Sequence, residues 1–302
     1  MSEVNAISST SYQFWVKAAA WASTLVAVLL ITIKIYAWLV SGASSILASA
    51  TDSLLDLFAS LLNLVVLKFA LAPPDNEHKF GHGKAESLAG IAQAAFISAS
   101  AILLFVHGLE RLFNPQAINQ SEVAIVITII SLALTLGLVW FQRWVVLKTQ
   151  SIVISADALH YQSDILLNIG VLVAVILSES MWPQADGVFT VLVAFYLLYG
   201  VKAILGQSLN QLLDHELSAS DISTIEAIIK SQSKVLGHHQ LKTRQAGPLK
   251  FVQVHIELPA EMALREAHEV ADSISMAIEK ALSPCEVIIH QDPIASSTRH
   301  AQ

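Results

Sequence analysis

Four polar side chains stand where apolar residues crowd. Asp52 and Asp56 fall within LASATDSLLDLF, and His160 and Asp164 within ADALHYQSDILL. Both pairs are spaced i, i+4, so on a helix each pair faces one way. Each lies in a stretch long and apolar enough to span a bilayer, where an unpaired carboxylate costs several kcal/mol or more. No Lys or Arg lies at the same depth in those two spans; Arg111 and Arg143 sit near span ends. A divalent cation neutralises three acids economically, and two such pairs on facing helices supply four ligands at tetrahedral angles. One imidazole with carboxylates suits Zn²⁺ and can also hold Fe²⁺, Mn²⁺ or Cd²⁺. The plainer reading is protonated acids hydrogen-bonded for helix packing. It suits one stray acid better than two spaced pairs. Ser53, Ser163 and Asn168 share similar faces and read as helix–helix packing residues.

Two further groups carry ligand chemistry. Asp75, His78 and His82 lie within DNEHKFGHG, next to Pro and Gly, where the chain can fold round an ion. Solvated loop polarity explains them as well. Beyond residue 209 come His238, His239, His255, His268, His290 and Asp292. They belong to different elements, so only the fold can gather them. Asp292 is two residues past His290 and shares its strand face. Surface His is the bland reading for any one of them, but a weaker one for the set. His107, His215 and His300 have no evident partner.

The elements that position these residues follow from composition. The chain of 302 residues is 54% hydrophobic and only 14% charged, where an ordinary globular domain carries about 25% charged residues. Apolar residues crowd between Phe14 and Leu205, and the chain turns polar after Leu209. Residues 1–208 therefore read as a membrane domain and 209–302 as a soluble one. A hydrocarbon core of ~30 Å needs about 20 helical residues. Six stretches qualify: Phe14–Val40, Ser44–Ala70, Leu88–Phe113, Glu122–Leu147, Asp157–Leu177 and Pro183–Leu205. Helices are required because lipid cannot satisfy backbone hydrogen bonds. Ser41-Gly42-Ala43 joins the first pair, Pro73-Pro74 through Gly83 the second and third, Asn114-Pro115 breaks the chain after the third, and Trp182-Pro183 opens the sixth.

Lys17, Lys68, Lys79, Lys84, Arg143, Lys148 and Lys202 fall on one side, and mainly Arg111 on the other, with Lys34 snorkelling toward it. Both termini are then cytoplasmic. No cleavable signal peptide is evident in the polar, acidic N-terminus. A net charge of −7 argues against a nucleic-acid partner, and the single Cys285 rules out an internal disulfide. The soluble part reads helix, strand, strand, helix, strand. Ser220–Ser231 is amphipathic with Ser218 or Ser220 as N-cap. Phe251, Val252, Val254 and Ile256 alternate in a strand. Leu264–Leu282 turns Ala267, Val270, Ile274, Ala277, Ile278 and Leu282 inward, and Glu286–His290 is a β-branched strand. That order predicts an α+β, ferredoxin-like domain.

Spans two and five, with their HYQSD segment, resemble the cation diffusion facilitators, and within them the bacterial ferrous-iron/zinc efflux pumps. The resemblance covers nearly the whole chain. It implies six transmembrane helices plus a cytosolic ferredoxin-like domain, and a transport site of Asp52, Asp56, His160 and Asp164. It also implies a loop metal site at Asp75, His78 and His82. A two-metal cytosolic site would comprise His239, His255, His268, His290 and Asp292, with Gln291 reaching in from a partner chain. Lys84 and Asp214 correspond to an interdomain salt bridge. The expected activity is a metal/proton antiport that exports Zn²⁺, with Fe²⁺ and Cd²⁺ as further candidates, from the cytoplasm by alternating access. The expected assembly is a homodimer in the lipid of the bacterial inner membrane. Protons are plausible partners on chemical grounds, since three carboxylates and a neutral His must shed protons to bind metal. A passive channel or sensor would use the same ligands. An enzyme fits poorly, because His268-Glu269 followed by Asp272 lacks the second His of HExxH. A Mg²⁺ transporter would not need several His ligands.

Overall fold

Long apolar runs with few charges can only bury themselves as helices against one another, and the computed structural model, which describes residues 9–42, 44–114, 122–178 and 184–295, shows that outcome. The helices are α1 (Ser9–Ser41), α2 (Ser44–Ala70), α3 (Lys84–Phe113), α4 (Glu122–Thr149), α5 (Ile152–Ser178) and α6 (Ala185–Leu212). Among the described residues, five are long and apolar enough to cross a membrane, over Ser11–Val40, Ser49–Ala70, Lys84–Phe113, Ile125–Thr149 and Gly187–Leu212. This is a multi-pass membrane protein. α5, which is not among those five, carries Asp157, His160, Gln162 and Asp164 in its N-terminal half. The chain divides into two units, Phe14–Leu209 and one formed chiefly by the residues from Asn210 onward.

Within the first unit, α5 packs along α3 and α4 and meets α2 over a short stretch. It begins earlier than the expected Asp157, where Ser151 caps it by accepting from the Ile154 N–H at 3.4 Å, and a second helix helps. The buried Glu86 of α3 accepts a hydrogen bond from the backbone N–H of Ile152 at 2.9 Å and another from Ser151 Oγ. The first of these satisfies a backbone donor that a helix start leaves open. One turn along α3, Gly90 lets the helices close up: a Cβ there would lie 2.5 Å from both Ile152 Cγ2 and Ser208 Oγ. Small residues at such crossings substitute for the hydrophobic drive that lipid does not provide. Gly42, at φ +65°, ends α1 as a residue without a Cβ can. Ala43, Pro115 and Trp182-Pro183 lie outside the described residues.

The second unit contains α7 (Ala219–Lys230), β1 (Gly237–Ala246), β2 (Leu249–Pro259), α8 (Leu264–Leu282) and β3 (Cys285–Ile294). The mixed sheet runs β1-β2-β3, with β1 antiparallel and β3 parallel to β2. This is the βαββαβ order without its first strand. Ser218 caps α7, its side chain accepting from the Asp221 N–H at 3.2 Å. α8 buries Ala267, Val270, Ala271, Ile274, Ile278 and Leu282, an i, i+3, i+4, i+7 stripe. They pack on Ile225 and Ile229 of α7 and on Val252, Val254 and Ile256 of β2. Ala277, expected inward, is half-buried, and Ala271 takes the buried position.

Cys285 opens β3 half-buried, and burial pushes its thiol up to about 11. The thiolate is the reactive form, so alkylation at pH 8 should run on the order of tenfold slower than for a free thiol, its lower population being partly offset by its greater nucleophilicity. Iodoacetamide labelling followed by mass spectrometry checks this. Labelling at the rate of glutathione would contradict it.

Candidate metal centres

Convergence of α2 and α5 builds the first centre. Asp56 stands on α2, and His160 and Asp164 on one face of α5, one turn apart. Their ligand atoms all lie within 4.8 Å of one another. The Nε2–H of His160 donates to Asp56 Oδ1 at 2.9 Å. The proton in that bond occupies the lone pair through which the imidazole would bind a metal, so proton and cation compete for one position. The ring of Phe96 stands edge-on to His160 at 6.3 Å. Asp52, one turn along α2, is outside the close triad but lines the same cavity of about 420 Å³. Of four residues expected to converge, three do so and the fourth faces the space beside them. Ser163 is buried, and its hydroxyl donates to His160 O at 2.5 Å.

The second centre is the loop after α2. Asp75 Oδ1 accepts from the backbone N–H groups of Glu77 at 2.9 Å and His78 at 2.6 Å, a turn that short Asp side chains favour. Asp75 also lies 3.4 Å from His78 Nδ1 and 3.3 Å from His82 Nε2. His82 is buried under Phe69, ring centroids 4.5 Å apart, whereas Asp75 and His78 are exposed. The His78 backbone N–H, more than any charge, holds the Asp75 carboxyl below its ordinary range. All three expected ligands come together here.

Strand register builds the third. His239 pairs with His255 across β1 and β2, and His255 with His290 across β2 and β3, so three imidazoles share one row of the sheet. Two residues further along, Glu257 and Asp292 form the next row. Asp292 accepts from His255 Nδ1 at 2.9 Å and lies 3.2 Å from both His239 Nε2 and His290 Nε2. The His255 hydrogen bond, assisted by His290 and His239, keeps the Asp292 carboxyl below its ordinary range. His239, His255 and Asp292 form the close group. His268 stands apart on α8, 3.3 Å from Asp272 of its own helix. Helical i, i+4 proximity gives it that partner in place of the sheet cluster. Asp214 is ion-paired with Arg244 at 3.4 Å, while Lys84 belongs to the other unit.

Residues 20–213 match the family described as cation efflux transmembrane domain, and residues 217–294 the one described as cation efflux protein, cytoplasmic domain. The chain belongs to the cation efflux family. Among its relatives, the cation-efflux pump FieF of Shewanella oneidensis is 45% identical over 95% of this chain and 97% of its own length. FieF of Klebsiella pneumoniae subsp. pneumoniae is 45% identical over 94% of each chain, and FieF of Citrobacter koseri 45% over 97% of each. These relatives are transporters, and this cation efflux protein is a transporter rather than an enzyme.

Three residues of this cation efflux protein escaped the sequence reading. Asp157 was expected only as the start of a span. It is fully buried, accepting from Asn63 Nδ2 of α2 at 3.1 Å and Gln142 Nε2 of α4 at 2.6 Å. Its signal was the carboxylate three residues before His160, on the same side of α5. Glu257 lies 3.9 Å from His239. It follows His255 by two residues, the spacing that pointed to Asp292 after His290. Lys34 was expected to reach for the membrane surface. Its amine instead donates to Ser53 Oγ at 2.7 Å and Ser49 O at 3.2 Å, inside the cavity of the first centre. A four-carbon stem lets a lysine bend either way, and fixed acceptors in a polar cavity win here.

Proposed function

We propose that this protein exports a divalent transition metal, Zn²⁺ foremost with Fe²⁺ and Cd²⁺ as further substrates, in exchange for protons. The observation that carries the reading is the Asp56–His160–Asp164 triad, three ligand atoms within 4.8 Å inside a membrane unit, with a proton standing between His160 and Asp56. Asp52 completes the transport site. Cation binding displaces protons, and protons from the far side evict the cation, which ties metal flux to the proton gradient. Alternating access follows from cost: an empty, charged site is expensive to bury, so loaded and protonated forms cross.

The same reading makes α5 a sixth span. Residues 1–208 form the transport domain and 209–302 a cytosolic, ferredoxin-like metal-binding domain, with both termini cytoplasmic in a bacterial inner membrane. The names of the FieF relatives, cation-efflux pumps of bacteria, support that placement. The loop residues Asp75, His78 and His82 bind a second ion. His239, His255, His268, His290 and Asp292 bind ions that hold two copies together, since metal binding free energy becomes association free energy. His268 then joins only when the second copy or the metal is present.

Metal uptake into inverted vesicles under an imposed pH gradient tests the reading. An acid interior should drive Zn²⁺ inward, with Fe²⁺ and Cd²⁺ also moving and Mn²⁺ more slowly, and collapse of the gradient should abolish uptake. Zinc flux indifferent to the gradient would identify a passive channel instead.

A further inference from the structure

The cavity beside Asp56, His160 and Asp164 contains a positive charge of its own. Among the described residues lining it, Lys34 is the one lysine or arginine. The side chain leaves α1, crosses to α2 and is anchored at two points there: Ser53 Oγ at 2.7 Å and the backbone oxygen of Ser49 at 3.2 Å. Both anchors flank Asp52, which lines the same cavity. Neither anchor is a carboxylate. The ammonium is therefore held near the acids without forming a closed ion pair with any one of them.

A charge so placed has two consequences. Three carboxylates lining one cavity repel one another, and a nearby cation offsets part of that repulsion when no metal is present. When a dication enters, the same ammonium repels it. Charges that line one cavity are screened less completely than charges spread over an open surface, so both effects persist. Stabilising the empty site and opposing the filled one act in the same direction: both weaken binding. A transporter needs that, because a site that holds its cargo too tightly cannot release it.

We propose that Lys34 is a tethered cation that competes with the transported metal, lowering the site's affinity so that the ion is released. This deepens the transport reading and rests on it. The role is electrostatic and is distinguishable from a positioning role by sign. Were Lys34 only bracing Ser53 and the turn of α2 that bears Asp52, its loss would loosen that turn and weaken metal binding. Were it competing with the metal, its loss would strengthen binding.

The test uses the full chain in detergent and in proteoliposomes, and counts as transport-site binding only the zinc that Asp56→Ala abolishes in each background. Zinc binding is measured by equilibrium dialysis, and initial transport rates give KM and kcat. Lys34→Gln removes the charge but keeps a donor for Ser53 and Ser49; Lys34→Arg keeps the charge. Lys34→Gln is expected to bind zinc on the order of tenfold tighter, with KM and kcat both falling, and Lys34→Arg to stay near the parent. Binding that is unchanged or weaker in Lys34→Gln, or equal in the Gln and Arg variants, overturns the proposal. A parent chain that binds no zinc through Asp56 and His160 overturns the transport reading with it.

Discussion

Asp56→Ala should reduce proton-driven zinc uptake at least about a hundredfold, more than the loss of an outer-shell partner typically costs. Two effects combine. The carboxylate is one of three groups whose ligand atoms lie within 4.8 Å of one another, so its removal leaves a dication short of both a bond and a negative charge. It is also the acceptor that orients the His160 ring at 2.9 Å, and without it the imidazole is free to take another rotamer. The effect should be specific to transport. The expected picture is normal expression and an unchanged melting temperature in detergent, with initial rates of Zn²⁺ uptake near background. His160→Ala should lower zinc binding in parallel and change the number of protons moved per ion. Uptake by Asp56→Ala within tenfold of the parent would mean that the cation passes elsewhere.

Asp157→Leu should instead act on the fold. The buried carboxylate accepts from Asn63 at 3.1 Å and Gln142 at 2.6 Å, which ties α5 to α2 and α4. Leucine fills a similar space but accepts nothing, so two amides are left buried and unpaired. Each such orphan costs about 1–3 kcal/mol, for a total of roughly 2–6 kcal/mol. Asp157→Asn retains one acceptor oxygen and sets its own NH₂ against a second donor, so it should lose about half as much. Thermal melting of purified protein in detergent, followed by the loss of monodisperse material, checks the order parent, Asn, Leu. A Leu variant as stable as the parent would show that those bonds contribute nothing.

Much of this was legible in the chain because its signals are periodic. The i, i+4 spacing of Asp52/Asp56 and His160/Asp164 named the helices that must face each other, and three of those residues do meet. The stripe from Ala267 to Leu282 specified α8 to its boundaries. Period-2 reasoning placed Asp292 beside His290, and the same reasoning applied to HIE at residues 255–257 would have found Glu257. What periodicity does not encode is lateral: which neighbour a helix end or a long side chain finds. α5 starts at Ile152 because Ser151 caps it, accepting from the Ile154 N–H at 3.4 Å, a local signal, and because a glutamate on α3 takes the Ile152 N–H, which no local pattern announces. Lys34 was read by its depth along the chain, whereas its amine is placed by acceptors on α2.

The Glu86–Ile152 bond also constrains how α5 can move. A helix fastened at one end behaves as a lever, and any motion that spares the fastening turns about residue 152. At about 1.5 Å per residue, His160 sits roughly 12 Å and Asp164 roughly 18 Å along the arm. A swing of about 10° then carries them by roughly 2 and 3 Å, enough to open or shut a ligand cage of metal-bond dimensions. A modest tilt, amplified by leverage, suffices where a wholesale sliding of helices would otherwise be required.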